Sequence, residues 1–163
     1  QVSLGLLGGK EGYRLVTIQD ERTTPVSPEA VAGEIGPSWL WPDPDGLFAA
    51  DFDGDGSAEP YLTVRQGREW RELLIYDVID GAVKQVFRGR ARLPANGYAP
   101  GLSFTRRGEE ALIRLGQGAE TRLFRWDRAS GGFQPVTEEP GGPVHNLLGR
   151  ECLAEADILA DLW

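Results

Sequence analysis

The chain has 163 residues, with 17 Lys and Arg against 25 Asp and Glu, which gives a formal net charge of -8. A chain of this length is most simply one domain, and it is long enough to bury a hydrophobic core. The acidic balance argues against a nucleic-acid partner, because phosphate contacts need a basic face, and no apolar run approaches the about eighteen residues of a membrane span.

The composition also bears on fold class and compartment. The 22 Gly and 11 Pro favour many turns and short strands. The sequence contains no Met, so Gln1 is either a mature N-terminus left by signal-peptide removal or an artificial cut point. The single Cys152 excludes an internal disulfide. We therefore expect a mainly β domain in an extracytoplasmic location, secreted or periplasmic.

Residues 1–46 form the first part of the chain and carry few regular signals. The apolar and β-branched run from Gly12 to Ile18 predicts a strand, whereas the two Pro residues between Thr23 and Pro28 predict a turn or an edge segment. A loop framed by Pro residues follows, in which Trp39 and Trp41 share one face if the backbone is extended. These rings either stack on a sugar or a partner surface or fill the end of a small β core.

Residues 51–59 have the spacing of a cation-binding loop. Asp51, Asp53 and Asp55 alternate along the chain, Gly56 follows them, and Glu59 lies three residues further on. Ca²⁺ takes six to eight oxygens at about 2.3–2.6 Å, and a short loop supplies them when every second side chain points inward. The spacing predicts that these four carboxylates and the Ser57 carbonyl bind one Ca²⁺. The alternative is an acidic surface turn that binds nothing.

The segments around this loop show that it is not an EF-hand. An EF-hand has a bidentate Glu at its twelfth position and a helix after it, but here the twelfth residue is Leu62 in the strand-like run Tyr61–Val64. The preceding run Leu47–Ala50 is also strand-like. A strand, calcium loop and strand in this order resembles the FG-GAP/VCBS repeat, the blade unit of integrin-α-type β-propellers. The resemblance implies a structural calcium and a blade-like fold.

An internal repeat follows the loop at an offset of fifty residues. Five identical pairs fall in this register: Leu62 and Leu112, Leu73 and Leu123, Asp77 and Asp127, Gly81 and Gly131, Val86 and Val136. The first unit predicts strands 61–66, 72–78 and 82–88, with a hairpin turn at Asp80-Gly81. A period of about 40–50 residues with three or four strands is typical of propeller blades. The repeat predicts equivalent inward positions for Leu73 and Leu123 and for Val86 and Val136. Gly101, Ser103 and Thr105 stand where the second unit would need Asp, so we expect only one calcium.

The fold prediction is thus a single β domain over residues 1–163 with antiparallel blade-like repeats. Its parts are a degraded first unit with the Trp/Pro loop (1–46), a calcium-loop repeat (47–96), a second repeat (97–140), and a linker with a C-terminal helix (141–163). This number of units fits a partial or small β-propeller, one completed by another chain, or a β-sandwich. Apolar residues at helical spacing predict the helix, which either covers the sheet or docks to a partner through Trp163.

The functional prediction is a non-catalytic, calcium-stabilised module that binds a protein or a glycan. Two alternatives remain: an accessory region of a secreted carbohydrate-active or other hydrolytic enzyme, and a hydrolase that uses paired carboxylates. The only His, His145, lies in a turn-rich linker, and no G-x-S-x-G motif occurs. An alternating stripe of Arg88, Arg90 and Arg92 either holds an anionic glycan or an acidic partner or is a solvated face.

Overall fold

The computed structural model describes residues 3–26, 29–35, 45–67, 69–92, 102–107, 110–116 and 121–136. Eleven β-strands lie in this part of the chain. They are β1 (Ser3–Gly9), β2 (Gly12–Gln19), β3 (Arg22–Pro25), β4 (Gly46–Ala50), β5 (Glu59–Gln66), β6 (Trp70–Ile79), β7 (Ala82–Arg92), β8 (Leu102–Arg107), β9 (Glu110–Leu115), β10 (Arg122–Asp127) and β11 (Gly132–Val136). The predicted C-terminal helix lies outside the described residues.

The strands form three antiparallel sheets, each of which follows the order of the chain. The N-terminal sheet is β1-β2-β3, the central sheet is β4-β5-β6-β7, and the third sheet is β8-β9-β10-β11. The prediction of a mainly β, antiparallel fold is confirmed. The described residues contain no helix that is long and apolar enough to cross a membrane.

Tight turns keep consecutive strands adjacent. Asp20 and Glu21 have φ of 49° and 63°, and Asp80 and Gly81 have φ of 53° and 75°. Two-residue hairpin turns with positive φ match the right-handed twist of the strands they join, which is why Asp and Gly are favoured there. The sequence-predicted turn at Asp80-Gly81 is thereby confirmed.

The central sheet is buried on both faces. On one face, Leu73, Ile75 and Phe87 join a hydrophobic cluster with residues of the third sheet, including Leu102 and Ile113. On the other face, Leu62, Leu74 and Tyr76 pack with Leu4 and Leu15 of the N-terminal sheet. Successive residues of a strand point to opposite faces, so β6 supplies both cores in alternation.

A strap of residues 29–35 connects the N-terminal sheet to the central sheet. The backbones of Tyr13 and Val31 exchange two hydrogen bonds, of 2.8 and 2.7 Å, and those of Glu34 and Arg65 exchange two more, of 2.7 and 2.9 Å. Gly12 has φ of 122°, and a Cβ placed on it would lie 2.0 Å from the Val31 carbonyl oxygen. Glycine therefore allows the strap to approach the start of β2.

The offset of fifty does not hold for both strands of the β9–β10 pair. In the central sheet Thr63 faces Leu73, but in the third sheet Ile113 faces Phe124. Phe124 packs against the same hydrophobic cluster as Leu73. Leu123 is half-buried and pairs with Val136 on the opposite face. The pairing of β9 with β10 is thus shifted by one residue relative to that of β5 with β6, so one offset does not relate both strands. Leu73 is fully buried whereas Leu123 is half-buried, so an inward position for both is not confirmed.

The offset also misplaced the second unit's loop. Ser103 and Thr105 lie inside β8, so they are not the counterparts of the loop carboxylates. β8 ends at Arg107 and β9 begins at Glu110, which leaves two residues between these strands. The corresponding connection of the central sheet runs from Asp51 to Ala58 and holds the acidic motif. A two-residue connection is too short to surround a cation with alternate side chains.

Candidate metal centre

The acidic loop joins β4 to β5 in the central sheet. Its first residue follows Ala50, and Glu59 is already the first residue of β5. Ala50 and Glu59 are cross-strand neighbours, so the two ends of the loop are held together by the sheet. This pairing turns a spacing in the sequence into a closed loop.

Backbone amides of the loop orient the aspartates. The two carboxylate oxygens of Asp51 accept hydrogen bonds from the amides of Gly54 and Gly56, at 2.8 and 3.1 Å. Asp53 accepts one from the Asp55 amide at 3.0 Å, and Asp55 accepts one from the Ser57 amide at 2.7 Å. Each carboxylate oxygen has a further lone pair for a cation.

Two glycines give the loop its curvature. Gly54 has φ of 84° and Gly56 has φ of 94°, in the region that L-residues with a Cβ rarely adopt. Gly56 is the glycine of the sequence pattern, and the structure shows that Gly54 bends the loop as well. The observed contact of Ser57 is made by its amide, so the contribution of its carbonyl oxygen stays a prediction.

Glu59 closes the site from the sheet side. Glu59 is 5% exposed, and its Oε2 accepts a hydrogen bond of 2.6 Å from the Phe52 amide. Carboxylate oxygens from Asp51, Asp53, Asp55 and Glu59 all lie within 4.8 Å of one another. The structure therefore brings together the four carboxylates that the spacing singled out.

This donor set fits a hard divalent cation. Oxygens that bind one Ca²⁺ at about 2.3–2.6 Å lie within about 5 Å of each other, and the observed separations meet that limit. All four donors are carboxylates, which suit Ca²⁺, Mg²⁺ and Mn²⁺ better than softer metals. The ligands could hold such an ion as a fixed positive charge that offsets their mutual repulsion.

Burial and the neighbouring negative charges raise the pKa values of two carboxyl groups of the loop. Burial, with the charge of Asp53 next in importance, raises the pKa of Glu59 to about 9. Burial and the charges of Asp55 and Asp51 raise the pKa of Asp53 to about 6, although the hydrogen bond from the Asp55 amide lowers it. A bound cation reverses both effects, because it favours the ionised carboxylates.

Phe52 connects the loop to the core between the central and third sheets. It stands between Asp51 and Asp53, yet it is 1% exposed. Its ring lies 4.6 Å from that of Phe104 in the third sheet and meets Tyr61 edge-on at 5.4 Å. The loop is thus pinned by an apolar side chain as well as by the sheet.

The Trp, His and Cys candidates from the sequence lie outside the described residues. These are the proposed partner-binding residues Trp39, Trp41 and Trp163, together with His145 and Cys152. The structure neither brings them to the acidic loop nor separates them from it.

Sequence reasoning missed two acidic features of the central sheet. Asp77 of β6 has a raised pKa, chiefly from burial and also from the charge of Asp55, so it lies in the electrostatic field of the loop. Asp45, whose side chain is fully buried, pairs with Arg71 at 2.7 Å and with Arg65 at 3.0 Å. The signal for the ion pair was weak, because Asp45 stands in a Pro- and Gly-rich stretch that is also typical of turns.

Comparisons with known proteins supply no family. Neither a protein-family model, nor a curated protein, nor a solved structure matches this chain. The interpretation of the acidic loop therefore rests on its own geometry and on the sequence pattern.

Proposed function

We propose that this chain is a non-catalytic, extracytoplasmic β domain of blade-like repeats, which one Ca²⁺ stabilises and which binds a protein or glycan partner. The observation that carries the proposal is the convergence of four carboxylate oxygens within 4.8 Å in one closed loop. Free calcium is abundant outside cells, where even weak sites of this kind fill.

The arrangement of the sheets supports the blade-like part of the proposal. The central and third sheets are each four antiparallel strands in chain order, and hydrophobic residues pack these sheets against each other. The N-terminal sheet packs on the other face of the central sheet in the same manner. Meandering sheets stacked face to face are the building plan of propeller blades, and a β-sandwich uses two such layers.

The loop itself supports a structural role for the ion. Its carboxylates accept hydrogen bonds from amides of the same loop, and Glu59 accepts one from Phe52, whose side chain is in the core. A cation held there joins the start of β5 to the end of β4. Its binding therefore stabilises the folded chain over the unfolded one.

Thermal unfolding with and without calcium tests this proposal. Calcium at a hundredfold excess over Kd stabilises the folded state by about 2.7 kcal/mol, which raises Tm by about 5–10 °C in a domain of this size. The Asp53→Ala variant should lose this shift. Asp80→Asn, which removes one negative charge from an exposed turn, is the matched control and should keep it.

Two results would overturn the assignment. Equal Tm values for the calcium-loaded and the calcium-free protein would show that the loop holds no stabilising ion. A shift that persists in Asp53→Ala would place the ion elsewhere. Parallel titrations with Mg²⁺ check the choice of metal, because the larger Ca²⁺ accepts more oxygens and less regular geometry.

A further inference from the structure

A cleft rich in arginine lies along β7, the edge strand of the central sheet. Trp70, Arg88, Arg90, Arg92, Leu115 and Arg122 line an open cleft of about 540 Å³. The cleft runs along β7 and reaches the end of β9 and the start of β10 in the third sheet. Ligand sites for small molecules commonly have volumes of about 300–1,000 Å³.

The arginines of this cleft differ in how they are engaged. Arg88 pairs with the buried Glu72, so its charge is compensated. Arg90 and Arg92 instead lie over the Trp70 ring, with guanidinium carbons 4.3 and 5.2 Å from its centre. Among the residues that the structure describes, none of the ion pairs involves Arg90, Arg92 or Arg122.

Trp70 holds two of these guanidinium groups in place without neutralising them. A cation over an aromatic face is attracted by the ring's quadrupole, and its N–H donors remain directed outward. Trp70 and Arg92 are cross-strand partners, as are Glu72 and Arg90, so the sheet register sets their spacing. The result is an ordered set of donors with the fork geometry that binds carboxylate or sulfate groups.

The edge of β7 favours a saccharide over a peptide strand. Arg122 Nη2 donates a hydrogen bond of 2.6 Å to the Arg90 carbonyl oxygen. An added peptide strand would need the free main-chain groups of the edge, and this contact occupies one of them. A ligand that binds through side chains alone meets no such obstacle. Trp70, which is half-buried, is the aromatic side chain of the cleft that can contact the C–H groups of a sugar ring.

The charge of the whole chain limits the size of the ligand. The net charge is -8, so a long polyanion that extends beyond the cleft would meet an acidic protein. A short anionic ligand can stay within the positive region. We infer that the cleft lined by Trp70, Arg90, Arg92 and Arg122 binds an acidic oligosaccharide through its carboxylate or sulfate groups. This inference rests on the proposed binding function and names its site and ligand class.

Isothermal titration calorimetry on the calcium-loaded protein tests the inference with four probes. A galacturonate oligosaccharide carries carboxylates, a sulfated oligosaccharide carries sulfates, a neutral oligosaccharide of the same length carries neither, and a poly-glutamate peptide represents an acidic peptide. We expect at least one of the two acidic saccharides to bind, with an affinity that falls as salt is added. The carboxylate and sulfate arms then identify which group is recognised.

The variants separate the cleft from the rest of the surface. Arg90→Gln combined with Arg122→Gln should weaken binding at least tenfold. Arg22→Gln, an exposed arginine on the N-terminal sheet, should leave the affinity within about twofold. The calcium-dependent rise in Tm should be the same in all three proteins, which shows that the double variant is folded.

Several outcomes would overturn the inference. The inference fails if the neutral saccharide binds as tightly as the acidic ones, or if the double variant binds them as tightly as the parent chain. It also fails if only poly-glutamate binds, or if no probe binds to a protein that calcium stabilises normally. The last result would remove the cleft as a glycan site and leave the calcium site standing. Loss of calcium stabilisation in the unmodified chain would instead count against the proposed function.

Discussion

Replacing Phe52 by Ala tests whether the metal centre and the hydrophobic core are one cooperative unit. The side chain is 1% exposed and contacts rings from both the central and the third sheet. Removing a buried Phe costs about 3–5 kcal/mol, because the transfer free energy is lost and a cavity remains. The ring also anchors the loop between Asp51 and Asp53, so its loss frees the carboxylates to move apart. We therefore expect calcium to bind the variant at least tenfold more weakly.

Urea unfolding of the variant and the parent chain, each with and without calcium, measures both effects. The control is Phe87→Ala, which opens the same core at the edge strand β7, away from the loop. It should lower the free energy of unfolding but leave the calcium contribution unchanged. If Phe52→Ala costs under about 1 kcal/mol, or if calcium stabilises it as much as the parent chain, the coupling is refuted.

Two further predictions concern pH and the strap. Without calcium the pKa values of Asp53 and Glu59 are raised to about 6 and about 9, so the folded state favours the neutral forms of both carboxyl groups. The free energy of unfolding of the calcium-free protein should therefore fall as the pH rises from about 4.5 to 9. Because protons compete with calcium, the Tm difference between calcium-loaded and calcium-free protein should grow between pH 5.5 and 8, and a constant difference would contradict this reasoning. Gly12→Ala should destabilise the fold by about 1–3 kcal/mol in thermal unfolding, because its Cβ would strike the Val31 carbonyl oxygen. Gly9→Ala, opposite it in the hairpin with no atom within 4 Å of the added Cβ, should be nearly neutral, and equal costs would refute the steric argument.

The sequence predicted local features of the central sheet well, because each is encoded within a few residues. Alternating Asp residues followed by Gly56 specified the acidic loop, and Asp80-Gly81 specified a hairpin turn. The strand before the loop and the three strands after it were also expected, with bounds that differ by a few residues from those observed. Period-two alternation and turn chemistry carry this information without any knowledge of the tertiary structure.

Features that depend on tertiary packing were harder to predict from the sequence. β1 was missed because its five-residue core Gly5–Gly9 contains three glycines, which have low strand preference, and only its pairing with β2 makes it a strand. The offset of fifty does not hold for both β9 and β10, because identities between residues do not reveal a one-residue shift in strand register. The ion pairs of Asp45 join residues that are 20 and 26 positions apart, a distance over which local patterns have no influence.

The double-sided burial of the central sheet has a consequence for how the chain folds. Within the part of the chain that the structure describes, each sheet is made of consecutive strands, so the pairing inside the sheets is local and its loop-closure costs are small. The outer sheets, however, find their main apolar partner in the central one. We therefore expect the hairpins of β4–β7 to form the folding nucleus, onto which the two neighbouring sheets condense. Mutations in β6, which faces both cores, should slow folding, whereas those in the strap should chiefly speed unfolding.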